Sequence, residues 1–167
     1  MQTADFDLKE TLTGGVSATV LTKLNRVSAR EKSKTFNSDR YILINTSSNP
    51  GGIAGPWNLG LADVFKIKEI RKHTARPTAL TDGIDVTSDF VLDNGQRDNL
   101  YSLASISKNP NSNLTITSGD FLQIKLDFFS EDTSQGVGYY SVDSYPIDDN
   151  NAANTTAITT AEIPTFI

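Results

Sequence analysis

Cysteine is absent, and histidine, methionine and tryptophan each occur once in 167 residues. Without cysteine there is neither a disulfide framework nor a thiolate metal site. A lone histidine, His73, excludes a histidine pair around a metal. It sits among Arg71, Lys72 and Arg76 with no nucleophile elbow, so a surface residue beside cations is expected and not a catalytic base. Long hydrophobic runs are also missing. No stretch approaches the roughly 18 apolar residues of a membrane-crossing helix, and Met1 to Glu10 is too polar for a secretory leader. The expectation is a soluble chain with no membrane partner.

The apolar fraction is 37%, with frequent Asn, Ser, Thr and Asp, which suits many loops and thin layers in a single domain. The net charge of -5 hides an asymmetry. Residues 1–80 hold 12 Lys and Arg against 7 Asp and Glu, whereas residues 81–167 hold 3 against 13. The cations Lys23, Arg26, Arg30, Lys32, Lys34 and Arg40 come with no interleaved aromatics and no helix-turn-helix or ribonucleoprotein motif. Nucleic acid is therefore disfavoured against a solvated face or a docking surface for an acidic neighbour.

Alternation supplies the strand signal. From Phe121 to Phe129, Leu122, Ile124, Leu126 and Phe128 alternate with Gln123, Lys125 and Asp127, the mark of a half-buried antiparallel strand. Further strands are predicted at Val16–Leu24, Arg40–Asn45, Val64–Arg71, Val86–Leu92, Asn99–Ser107, Leu114–Thr117 and Tyr139–Tyr145. The stretch Arg26–Asn37 reads as a loop or edge hairpin, since a buried strand could not desolvate so many cations. Thr46–Gly60, with four Gly and two Pro, reads as a long loop pinned by Pro56 and Trp57. Asp93-Asn94-Gly95 is strong turn chemistry. The expected fold is all-β, an antiparallel β-sandwich or open barrel with extended arms. Residues 1–15 would be an N-terminal arm, 16–146 the β domain with a subdomain break near 76–83, and 147–167 a polar C-terminal arm with a sticky end.

No residue set forms a plain catalytic constellation. Gly51, Gly52, Gly55 and Gly60 do not make a phosphate loop, because no Gly-Lys-Ser/Thr follows and no helix opens there. Asp85, Asp89, Asp93, Asp98, Asp127 and Asp143 would be needed for a glycosidase pair or a calcium site. Their spacing supports neither strongly: Asp93, Asn94 and Asp98 lack the full calcium-loop pattern, and the turn accounts for Asp93 and Asn94. Trp57 with Tyr101, Tyr139, Tyr140 and Tyr145 could form an aromatic platform for sugars, although rings in small β domains more often serve core or interface. The expectation is a non-enzyme without cofactor or metal.

The segments Gly-Pro-Trp-Asn-Leu-Gly-Leu-Ala-Asp-Val-Phe-Lys-Ile-Lys-Glu-Ile (55–70) and Asp-Phe-Val-Leu-Asp-Asn-Gly-Gln-Arg-Asp-Asn-Leu-Tyr (89–101) carry a resemblance. So do Tyr-Tyr-Ser-Val-Asp-Ser-Tyr-Pro (139–146) and Glu-Ile-Pro-Thr-Phe (162–166). Across residues 16–166 the chain resembles the large virion structural proteins of tailed phages, in particular T4-like phages of marine cyanobacteria. The resemblance implies a tail, baseplate or fibre-associated role in the virion, with other virion proteins and copies of the chain as partners. The alternative is a receptor- or glycan-binding module on a virion or cell surface. Interface candidates are Lys32 and Lys34 in the basic stretch, the rings Trp57 and Tyr140, and Ile163 and Phe166 at the sticky end.

Overall fold

A computed structural model describes residues 29–97, 101–132, 134, 136 and 138–164. The chain is an all-β sandwich of open, mainly antiparallel sheets, and its described residues include no α-helix. One sheet has four strands in the order β2 (Lys34–Asn45), β8 (Phe121–Glu131), β4 (Val64–His73), β5 (Ile84–Asp85). The other has three, in the order β3 (Trp57–Ala62), β7 (Leu103–Lys108), β6 (Phe90–Asp93). A short parallel pair joins β1 (Arg30–Glu31) to β9 (Gly138–Tyr139). The N-terminal arm, the Val16–Leu24 strand, Lys23, Arg26 and Phe166 lie outside the described residues.

β8 forms as its alternation predicts and takes the centre of its sheet, antiparallel to both β2 and β4. Leu122, Ile124 and Leu126 face the second sheet. There they meet Ile44, Val64 and Ile70 from their own sheet and Trp57, Leu59, Ala104 and Ile106 from the other. That shared layer is the hydrophobic core, and its burial is the main force holding the sheets together.

The opposite face of β8 is not simply wet. Gln123 lies under the 76–83 connector and donates to the Leu80 carbonyl at 2.8 Å. Asp127 is buried beside Lys68 and Ser38. Farther along, Phe129 meets Phe36 at a tilt and Phe65 edge to face, both with ring centroids 5.4 Å apart, and Ile158 of the C-terminal segment closes over them. Residues 147–164 thus fold back on their own sheet, with Ile158 donating its backbone N–H to the Pro146 carbonyl at 2.9 Å. A polar arm reaching away from the domain is not what these residues form.

Several expectations need correction, and bulges explain those in β2 and β4 that concern which face a side chain takes. β2 begins at Lys34, inside the stretch expected to be a loop, because the cation that seemed too costly to bury has a buried partner. Its register slips between Asn37 and Arg40, around Asp39 at φ 56°. One extra residue reverses which face each side chain takes. Lys34 and Phe36 therefore lie on the Phe129 side, and Ile42 and Ile44 on the core side. Two further slips in β4 bring Val64, Ile67 and Ile70 to the core together, which strict alternation forbids. The supposed loop 46–60 ends early, since Trp57 opens β3. Leu114–Thr117 is not a strand, although Leu114 and Ile116 pack on the core, and of Tyr139–Tyr145 only Tyr139 is strand. The Asp93-Asn94-Gly95 stretch does not close the hairpin, since antiparallel pairing continues past it through the Ser102 N–H to the Gly95 carbonyl at 2.6 Å and the Gln96–Tyr101 bridge. Gly95 has φ 81°, and a β-carbon there would sit 2.2 Å from the Ser102 carbonyl, so glycine is required.

Candidate functional site

At one end of the sandwich the chain crosses between the sheets in a single residue. Asp63 joins β3 to β4 with φ 53°, a left-handed conformation that Asp tolerates better than most side chains. Its carboxylate turns inward and receives Lys34 from β2 at 2.6 Å. Gln96, from the loop between β6 and β7, donates to its other oxygen. One carboxylate thus ties both sheets together.

The Lys34 ammonium, in a residue 5% exposed, is fully committed. Its three N–H groups go to Asp63, to the Tyr101 hydroxyl at 2.8 Å and to the Tyr145 hydroxyl at 3.0 Å. Four rings surround the charge, with centroids at 4.4 Å for Tyr145, 4.8 Å for Tyr101, 4.9 Å for Tyr140 and 5.6 Å for Phe129. This is an aromatic cage of the kind that takes ammonium ligands, occupied by the protein's own lysine. Burial works against the charge, but the hydrogen bonds with Asp63, Tyr101 and Tyr145 outweigh it and raise the pKa above the ordinary 10.5. A protonated lysine has no lone pair, so Lys34 is neither a nucleophile nor a general base.

Next to the cage, Lys32 meets Glu131 at 2.5 Å, and the Tyr140 hydroxyl donates to the same carboxylate oxygen. The hydrogen bonds from Lys32 and Tyr140 hold the Glu131 carboxyl below its usual range. Burial and the Glu131 acceptor push the Tyr140 phenol up. Beside these groups a cavity of about 280 Å³ opens, reaching Gly60 and Leu61 of β3.

The sequence candidates therefore separate. Lys32, Lys34 and Tyr140 converge on the cage, but both lysines are buried and paired within the chain, not displayed to a neighbour. Trp57 is in the core, fully buried, with its indole N–H donated to the Gly52 carbonyl at 2.8 Å, so it cannot belong to a surface sugar platform. Ile163 packs against the Phe36, Phe129 and Ile158 cluster. Asp63, Tyr101 and Tyr145 were missed as partners of Lys34, and Gln96 as the second donor to Asp63. The only signal for them was Lys34 in step with Phe36, and the bulge hid its meaning.

No family model, curated protein or solved structure matches the chain. Function has to be argued from the geometry.

Elsewhere, buried charge is neutralised in the same way. Asp127 pairs with Lys68 at 3.1 Å and Asp120 with Lys72 at 3.0 Å. Lys68 and Lys125 both bind Asp39 and hold its carboxyl down to about 2. Among the described residues no group of three or more His, Asp or Glu converges as a metal site.

His73 differs from the surface residue expected. It is 7% exposed, lies under Gly83, and its Nε2 has no hydrogen-bond partner. Burial lowers its pKa from the ordinary 6.5, with Asp82 opposing and Arg71 adding to the shift. The unfolded chain then binds the proton more readily, so the stability due to neutral His73 is complete above 6.5 and falls as pH drops toward the lower folded value. Urea unfolding of wild type and His73→Leu should show this component below 6.5 in the wild type and its loss in the variant. Parallel pH profiles would contradict it.

Proposed function

We propose that this chain is a structural protein of a tailed-phage virion, associated with the tail, baseplate or fibre and acting through contacts with other virion proteins and with copies of itself. The observation that carries the reading is the closure of its interior. Each buried charged side chain among the described residues, Lys32, Lys34, Asp63, Asp120 and Asp127, has an ion partner within the chain. Such pairs are poor reagents but good restraints, since breaking one strands a charge in low dielectric. The resemblance read from the sequence across residues 16–166 is what suggests a virion as the context.

What remains for recognition is outside. β2 is 12 residues long and, among the described residues, is paired on one side only. Past its bulge, Tyr41 (40% exposed) and Leu43 (38%) point outward beside Leu80 of the connector. A long edge strand with exposed apolar neighbours is suited to strand addition from an adjoining subunit. Reversing Lys32 and Lys34 to Glu would not probe this surface, because both anchor the interior. Removing residues 147–167 would strip Ile158 from the second cluster.

The cleaner test is Tyr41→Lys with Leu43→Lys, followed by light scattering at increasing concentration. Wild type should self-associate, and the double variant should remain monomeric with an unchanged circular dichroism spectrum. Wild type that stays monomeric at every concentration would count against the proposal.

A further inference from the structure

The cavity beside Lys34 lies where the two sheets part. It is walled by Leu61 and Ala62 of β3, Phe128 and Phe129 of β8, and the rings of Tyr101 and Tyr140. At about 280 Å³ it falls at the small end of ligand sites, room for one ring but not for a chain of them. Tyr101 and Tyr140 meet edge to face at 5.8 Å and 86°, giving the cavity two aromatic walls nearly at right angles.

Charge restricts the occupant. One cation, Lys34, and two carboxylates, Asp63 and Glu131, line the space, and all are already matched, Lys34 with Asp63 and Glu131 with Lys32. An anionic ligand would have to compete for Lys34 with Asp63 and two tyrosine hydroxyls. A cationic ligand would be repelled by an ammonium that already fills the cage. A neutral molecule disturbs neither pair. It needs an apolar face for the tyrosine rings and hydroxyls for the half-exposed Glu131 at the rim.

We propose that this cavity binds one neutral hexose-type sugar ring, stacked on Tyr140 and Tyr101 and hydrogen-bonded at its edge to Glu131. This binding function is separate from the assembly role, since the cavity is distinct from the outer face of β2. It keeps Tyr101 and Tyr140 of the aromatic platform expected from the sequence and leaves out Trp57, which is buried in the core.

The test is a heteronuclear NMR titration of the full chain with glucose, galactose, mannose and N-acetylglucosamine, with glucuronate and glucosamine as charged counterparts, each to about 50 mM. At least one neutral sugar should shift the amides of Gly60, Tyr101 and Tyr140, and the charged sugars should not. Tyr140→Ala should weaken binding by about tenfold or more, while Tyr140→Phe, which keeps the ring, should stay within about threefold. Should Tyr140→Ala fail to fold, Ala62→Leu serves instead, since it fills the space without removing a hydrogen bond. It should abolish the shifts. No shift with any neutral sugar, preference for a charged sugar, or shifts untouched in the folded variants would overturn the proposal.

Discussion

Lys34→Met should destabilise the protein by about 3–5 kcal/mol in urea or thermal unfolding, a loss far larger than a surface lysine gives. Methionine nearly matches the volume of the lysine stem and still packs among the rings, so the loss is electrostatic. Asp63 is left as a buried carboxylate with Gln96 as its remaining side-chain donor. Tyr101 and Tyr145 lose the donor they share. Asp63→Asn should cost less, about 2 kcal/mol, because asparagine still accepts from Gln96 and tolerates the left-handed backbone at 63, and the caged ammonium keeps its tyrosine partners. The size of the first effect measures how firmly this one residue joins the sheets.

Trp57→Ala should cost about 3–5 kcal/mol, the expected penalty for emptying a large aromatic site in a core. The indole is fully buried, paired in register with Ile106, 5.8 Å from the Phe90 ring and tied to the Gly52 carbonyl. Few neighbours could collapse into the space it leaves, because they belong to two different sheets. As a control, Tyr139→Ala, at an exposed position, should change stability by no more than about 0.5 kcal/mol. Chemical denaturation of both variants decides the matter. Near-equal midpoints would mean that Trp57 lies at a surface.

These two residues also mark where the sequence could be read and where it could not. β8 was legible because a central strand facing a core keeps strict alternation, and no bulge interrupts it. The all-β class followed from that pattern and from turn chemistry such as Asp93-Asn94-Gly95. β2 was only half legible. Residues 34–37 are too polar to announce a strand, and the slip at Asp39 moves Lys34 to the face opposite Ile42 and Ile44. The cage was hidden for a further reason. Its members come from positions 34, 63, 101, 129, 140 and 145, on segments far apart in the sequence.

His73 shows the converse error. Its basic neighbours in sequence suggested solvent, but on a strand the adjacent side chains point away, and Gly83 of the connector covers the ring. The C-terminal segment was misjudged by composition. Its polar residues are consumed in local turns, such as Asp149 accepting from Thr160 and Glu162 accepting from Thr159, while Ile158 and Ile163 reach the cluster beneath.

Lys34 and Asp63 answer chiefly to each other, and their pairing closes the interior. A double-mutant cycle tests it most directly, with unfolding free energies measured for wild type, Lys34→Met, Asp63→Asn and the combined variant. The combined variant should be more stable than the sum of the single losses implies, by about 2 kcal/mol or more. Additivity to within about 0.5 kcal/mol would show that the two groups do not depend on one another and would contradict it.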